Sequence, residues 1–202
     1  MSIEYNLPDS FVNLEDRIQN LKSHFSLETL KSKSLELEPL NECDGDHVRA
    51  YIALCHAEFE SYLEQRATDI VDEALSLWNN EKKATLPLMA LFAHFEYIEK
   101  NVSTTQKIYM IVSLFKQNVI KKNNGLKGDN IKKLFVPIGV DFETIDSAWI
   151  STLDSYGVMR GATVHMSAMV QQALDVHTVL ATTKIVKDGI ENFEELLDGL
   201  IN

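Results

Sequence analysis

The feature that most constrains the fold is a run of apolar residues at helical spacing between His47 and about Trp78. The apolar positions are Val48, Tyr51, Ile52, Cys55, Phe59, Tyr62, Leu63, Ile70, Val71, Ala74 and Trp78. Since the spacing matches the 3.6 residues per turn of an α-helix, the run predicts a single helix about 48 Å long. Asp46, just before it, is a residue type that caps helices. We expect this helix to form the spine of the fold.

The rest of the chain has the same helical character. Glycine and proline are scarce, at eight and four residues, which disfavours the many turns of an all-β fold. The spacing of apolar residues predicts helices over 9–25, 86–98, 104–120, 141–156, 160–170 and 175–200, with Gly157 as a break and 26–46 as a connector. We therefore predict an all-α bundle of six to eight helices. Residues 1–45 form an N-terminal helix and connector, residues 46–202 form the main helical domain, and the whole is one compact unit.

Composition limits the function. A net charge of -11 is untypical of a general nucleic-acid binder, although a local basic cleft can exist on an acidic body. The two cysteines are too few for a disulfide framework. The N-terminus lacks the pattern of a signal peptide, and the longest apolar run, Leu86 to Phe95, is about half of a membrane span. We predict a cytoplasmic protein that has no contact with the membrane.

The sequence contains none of the spaced motifs that hold zinc or nucleotides, so we expect no metal and no cofactor. What remains is Arg160 and His165, with four residues between them. A histidine can transfer protons near neutral pH, and an arginine can bind two phosphate oxygens at once. Together they could bind a phosphate group and move a proton beside it.

At this point the sequence resembles the HEPN superfamily of all-α domains, which is marked by an R-x4–6-H motif in its later helices. Arg160 and His165 match that motif. The segment from His56 to Tyr62, with Glu60 between aromatic residues, is similar to a segment of the long helix in two HEPN branches, one of them the RiboL-PSP branch. The resemblance covers roughly residues 46–200. It departs at Gly161, where many members carry Asn or Asp, and at Ser167, where members controlled by a nucleotidyltransferase antitoxin carry Tyr.

The resemblance implies a metal-independent endoribonuclease, with Arg160, His165 and Glu60 as catalytic residues and 2′,3′-cyclic phosphate ends as products. It also implies a role in toxin–antitoxin or phage-defence systems, with an antitoxin or regulatory protein as a partner. Positions 160 and 165 lie about 140° apart around a helix, so we expect a homodimer that pools both pairs in one cleft. The alternative is a non-catalytic HEPN dimer that acts as a scaffold or binds RNA or protein.

Several other residues have competing interpretations. Glu58 is the rival of Glu60, and His56 is expected at the edge of the core. Arg66 falls on the apolar stripe, which predicts a buried acid as its partner. Residues 121–133 form a polar loop in which Lys121, Lys122, Lys127, Lys132 and Lys133 either bind the RNA backbone or face solvent. The acids at 191, 194, 195 and 198 are expected on a solvated face of the last helix.

Overall fold

The computed structural model describes residues 7–36, 38, 40–95, 101–165 and 174–201, without the side chains of residues 164 and 165. These residues form eight α-helices, three short 3₁₀ turns and no strand. The helices are α1 (Asp9–His24), α2 (Leu27–Leu35), α3 (Glu42–Glu81), α4 (Leu86–His94), α5 (Thr104–Asn118), α6 (Gly128–Phe135), α7 (Ser147–His165) and α8 (Val176–Asp198). The 3₁₀ turns are Ile120–Lys122, Val136–Ile138 and Phe142–Thr144. The predicted all-α bundle is confirmed.

The long helix α3 extends beyond the predicted range at both ends and contains 40 residues. Its cap was predicted wrongly as Asp46, which lies inside the helix and accepts a hydrogen bond from Arg49 at 2.5 Å. The Asn41 side-chain oxygen instead accepts the backbone N–H of Asp44 at 2.9 Å. Asparagine caps helices as well as aspartate does, because both side chains can accept an otherwise unpaired N–H.

Two segments are more helical than predicted. Within the expected connector, Leu27–Leu35 form the nine-residue helix α2, which buries Leu27 and Leu30. The polar loop predicted over residues 121–133 is also partly wrong, since α6 begins at Gly128 and contains Lys132 and Lys133. In α6 the burial of Ile131, Leu134 and Phe135 stabilises a helix that its polar residues do not indicate.

Helix α7 is continuous through Gly157, so the predicted break at that residue is wrong. A glycine inside a helix costs only about 0.5–1 kcal/mol relative to alanine. Burial of Trp149, Leu153 and Tyr156 along one side of α7 outweighs that cost. As a result Arg160 lies in the second half of a 19-residue helix and not at the start of a new one. Residues 166–170, where the prediction continued the helix, are outside the described residues.

The chain divides into two compact units. The first comprises the described residues of Met1–Tyr62 and Ser147–Glu191, and the second comprises those of Leu63–Asp146 and Asn192–Asn202. In the first unit the core includes Phe11, Tyr51, Phe59, Leu153, Tyr156 and Val179. In the second it includes Ile70, Ile111, Phe115, Phe135, Phe193 and Leu197.

The second unit contains the buried acid that was predicted for Arg66. The Arg66 guanidinium bonds both carboxylate oxygens of Glu194, with Nε 3.0 Å from Oε1 and 2.9 Å from Oε2. Glu194 is completely buried, so its assignment to a solvated face was wrong, whereas Glu195 and Asp198 on the same helix are exposed. A buried carboxylate is tolerated here because a planar guanidinium satisfies both of its oxygens.

In the part of the chain that the structure describes, no helix has the length and apolar character needed to cross a membrane.

Candidate functional site

The candidate site lies in the first unit, where α3 and α7 carry the predicted residues. On α7 the buried positions Trp149, Leu153 and Tyr156 follow one another at helical spacing. Arg160 comes one turn after Tyr156 on the same side of the helix and is half-buried. Arg160 therefore occupies the next position on the apolar face of α7. This places its side chain at the margin of the core.

His56 of α3 is the centre of this arrangement. Its side chain is buried, and its ring stacks on Tyr156 with centroids 6.3 Å apart and planes inclined by 12°. The Nδ1 atom lies 3.6 Å from Oε2 of Glu60, one turn further along α3. That separation exceeds a normal hydrogen bond, so the contact between them is electrostatic. His56 therefore packs on the core through Tyr156, while the charged residue Glu60 lies at its other side-chain contact, Nδ1.

Burial lowers the pKa of the His56 imidazole, because the charged form loses its hydration. The carboxylate of Glu60 partly offsets this by raising the pKa, and the positive charge of Arg160 lowers it further. The net shift is downward from 6.5, so His56 is neutral at pH 7. Arg160 of α7 and His56 of α3 therefore interact electrostatically.

Arg160 has no carboxylate partner within the described ranges. The only hydrogen bond to this residue there, apart from the helical backbone bonds, goes from the Thr163 hydroxyl to its carbonyl oxygen at 2.7 Å. A half-buried guanidinium without a carboxylate retains its donors for an anionic ligand. A phosphate group has the charge and the oxygen geometry that such a guanidinium binds best.

Tyr156 forms the apolar wall of the site. Its hydroxyl donates to the Ile52 carbonyl oxygen at 3.5 Å, and the Thr183 hydroxyl lies 3.4 Å from it. Burial raises the pKa of the Tyr156 hydroxyl well above 10.0, so this group stays protonated. Tyr156 therefore orients the His56 ring and takes no part in proton transfer at neutral pH.

The residues predicted for the site have different surroundings. Glu60 and Arg160 both interact with His56. The rival carboxylate Glu58 accepts a hydrogen bond from Arg17 at 2.8 Å, so it is already paired. His165 is the last residue of α7, and its side chain is outside the described residues. Positions 160 and 165 lie about 140° apart around α7, as expected from their spacing.

His56 is a functional candidate that the sequence interpretation ranked below a role at the edge of the core. Its signal was present in the sequence, since His56 and Glu60 are four residues apart and face the same side of a helix. The stronger apolar pattern around it made a core role the simpler interpretation. Only the packing of α7 against this part of α3 brings Arg160 to the pair.

The predicted substrate-binding lysines lie in the second unit. Lys122, Lys132 and Lys133 line one cavity of about 630 Å³, whereas Lys121 and Lys127 are not part of its wall.

Among the described residues, no group of three histidine, cysteine, aspartate or glutamate side chains is close enough to hold a metal ion.

Comparison with known families agrees with this architecture. The all-helical fold and a family match over almost the entire chain define the class, which is a HEPN-type helical domain. More narrowly, the chain belongs to the RiboL-PSP-HEPN family, whose model matches residues 12–199 and thus includes most of α1 and all of α2. No curated protein and no solved structure matches the chain.

Proposed function

We propose that this protein is a metal-independent endoribonuclease that uses Arg160 and His165 as its catalytic pair. One observation carries the proposal: Arg160 is half-buried one helical turn after Tyr156, on which the His56 ring stacks, and it forms no ion pair with a carboxylate among the described residues. A partly buried arginine that forms no ion pair keeps its N–H donors for an anionic ligand, which would replace the hydration that the guanidinium has lost. Membership of a HEPN family makes RNA phosphate the ligand of choice.

In the proposed reaction, Arg160 binds the non-bridging oxygens of the scissile phosphate. The 2′-hydroxyl oxygen attacks phosphorus, and a histidine accepts the hydroxyl proton. The bond from phosphorus to the 5′-oxygen breaks, and that oxygen takes up a proton. The products are a 2′,3′-cyclic phosphate and a 5′-hydroxyl end. Arg160 contributes because negative charge on the phosphate grows in the transition state.

We assign the proton-transfer role to His165 and a positioning role to His56 and Glu60. His56 is buried and neutral, so it is better suited to holding Glu60 and the Arg160 region in place than to meeting a substrate. Glu60 is half-buried with its carboxylate 3.6 Å from the His56 ring, where it can also orient a second cation or histidine.

We further propose that the active species is a homodimer. Two side chains about 140° apart on one helix do not converge easily, and a two-fold axis would place both pairs in one cleft. The surface of α7 is suited to such an approach, since Val158 is 61% exposed and a Cβ added at Gly161 would meet no atom within 4 Å. A role in toxin–antitoxin or phage defence would follow from this activity and from the family.

The decisive experiment incubates the pure protein with labelled RNA in EDTA. The wild type should cleave, and Arg160→Ala and His165→Ala should each lose at least about 100-fold in rate, as expected when a group active in the transition state is removed. Arg49→Ala is the matched control, because Arg49 is half-buried like Arg160 but is paired with Asp46, so its loss should leave the rate unchanged.

The substrate provides a second control. RNA with a 2′-O-methyl group at each position lacks the nucleophile and should not be cut, while mass spectrometry of the normal products should find cyclic phosphate ends. Equal cleavage by all variants would refute the assignment. Absence of cleavage by any of them, with a dimer intact by sedimentation, would favour the scaffold function.

A further inference from the structure

A second basic site lies in the second unit, in the cavity of about 630 Å³ between the end of α5 and helix α6. Its wall combines three kinds of side chain: the lysines Lys122, Lys132 and Lys133, asparagines including Asn124, and an apolar strip that includes Val136. The volume lies within the range of ligand pockets, which is about 300–1,000 Å³.

Charge indicates an anion. Residues 121–133 carry five lysines and one aspartate, in a chain whose net charge is -11. Nothing among the described residues forms an ion pair with Lys122, Lys132 or Lys133. Lys122 donates to the Asn118 side chain at 2.9 Å, and the Lys132 amine lies 5.4 Å from the Phe142 ring centroid. Three lysines without carboxylates on one cavity create a local positive potential on an acidic protein.

A network of hydrogen bonds between asparagines holds this wall of the cavity in place. Asn130 donates to the Asn123 side-chain oxygen at 3.0 Å, and Asn123 donates to Glu64 at 2.8 Å and to the Gly125 carbonyl oxygen at 3.1 Å. Gly125 has a φ of +132°, a conformation that suits glycine. This network fixes the loop, while Asn124 is exposed and has no hydrogen bond to another described residue. Its amide can therefore bond to the edge of a ligand.

The apolar strip favours an anion that also has a flat face. Val119, Val136 and Pro137 line the cavity, and Val136 is 38% exposed. Phosphate alone would gain nothing from these residues. A nucleotide would use both parts, with its phosphate on the lysines and its base on the apolar strip. In duplex RNA the bases are stacked and hidden, so only an unpaired base could enter.

We infer that this cavity binds single-stranded RNA, with Lys122, Lys132 and Lys133 on successive phosphates and an unstacked base against Val136 beside Asn124. The choice of RNA over another polyanion rests on the proposed ribonuclease function. The site would give a protein of net charge -11 the means to retain a polyanion, and it is separate in role from the chemistry assigned to Arg160.

Binding is tested by fluorescence anisotropy of the full chain with a labelled, short 2′-O-methyl oligoribonucleotide, which cannot be cut by the proposed mechanism. Lys132→Glu/Lys133→Glu should weaken binding by at least tenfold. The control Lys82→Glu/Lys83→Glu makes the same change of charge on another exposed adjacent pair and should stay within twofold. Lys132→Ala/Lys133→Ala should lower the slope of log affinity against log salt by about 1.4, which is about 0.7 for each phosphate contact.

The other outcomes are equally informative. Equal weakening by both charge-reversed pairs, no binding by the wild type, or equal affinity for duplex RNA would overturn the inference. A wild type that binds in this manner but never cleaves RNA would remove the proposed ribonuclease function and leave the binding site. Cleavage that depends on Arg160, with unchanged affinity in Lys132→Glu/Lys133→Glu, would remove the binding site and leave the ribonuclease.

Discussion

The two arginines at the margin of the helical cores, Arg66 and Arg160, have opposite surroundings. Arg66 binds both oxygens of a fully buried carboxylate, Glu194, and its own side chain is only 15% exposed. Arg160 is half-buried beside a neutral histidine and has no carboxylate partner in the described part of the chain. The first arrangement is electrostatically complete, whereas the second leaves the guanidinium without an ion pair among the described residues.

This difference separates a structural ion pair from a candidate binding site. Removing one member of a satisfied pair leaves a buried charge alone, which destabilises the fold. Removing an arginine that lacks a partner leaves no carboxylate behind and should affect ligand binding more than folding. The comparison therefore makes quantitative predictions for the same kind of substitution at two places.

The largest expected effect is on stability at the satisfied pair. Glu194→Ala should lower the free energy of unfolding by about 3–5 kcal/mol, because it strands the Arg66 guanidinium. Arg160→Ala should lower it by less than about 1 kcal/mol. Urea unfolding followed by circular dichroism measures both.

A double variant tests the reason for this effect. Arg66→Met/Glu194→Leu removes both charges and should recover most of the stability lost in Glu194→Ala, since no ion is left buried. If Arg160→Ala instead cost as much as Glu194→Ala, Arg160 would have a buried partner and the contrast would fail.

The next largest effect on stability is expected at the contact between α7 and α8, and it is steric. Trp149 packs directly on Gly189, so a Cβ at position 189 would lie 2.0 Å from Cδ1 of the indole. Trp149 is further held by a hydrogen bond from its Nε1 to the Val186 carbonyl oxygen at 3.2 Å. Gly189→Ala should therefore destabilise the protein by at least about 1–3 kcal/mol in thermal or urea unfolding. A neutral result would mean that α7 shifts freely on α8.

These details mark the boundary of what the sequence could predict. Helix positions followed from local apolar spacing, as for α3 and for α8, which was predicted over 175–200. Gly157 was misjudged because the local signal of a glycine is a break, whereas the burial of its neighbours decides the outcome. Glu194 was misjudged because its partner lies 128 residues away in the chain. His56 was undervalued for the same reason, since Arg160 reaches it only through the fold.

The lowered pKa of His56 predicts how the stability of the protein depends on pH. Because burial lowers this pKa below the unfolded value of 6.5, the unfolded state binds the proton more readily. The contribution of neutral His56 to the free energy of unfolding is fully present above pH 6.5. It is lost as the pH falls toward the folded-state pKa. One proton contributes a slope of at most about 1.4 kcal/mol per pH unit. His56→Gln should therefore flatten the stability profile below pH 6.5.

NMR titration of the His56 ring sharpens the same point. Arg160→Ala should raise its pKa, because a neighbouring positive charge is removed, and Glu60→Gln should lower it, because a neighbouring negative charge is removed. Arg17→Ala serves as the control, since Arg17 pairs with Glu58 and not with this group. If the pKa of His56 is unchanged in Arg160→Ala, the guanidinium is not close to His56. The candidate site would then not include α7.

The smallest expected effect is at Gly161, directly after Arg160, where the surroundings are open. A Cβ there would meet no atom within 4 Å, in contrast to Gly189. Gly161→Ala should therefore stabilise the protein by about 0.5–1 kcal/mol, because alanine loses less backbone entropy in a helix. Unfolding is measured at low protein concentration, where monomers dominate, and again at high concentration. If the open side of α7 is the dimer surface, the gain should shrink or reverse at high concentration, since a methyl group there would oppose the partner's approach. The same gain at both concentrations would place the dimer interface elsewhere.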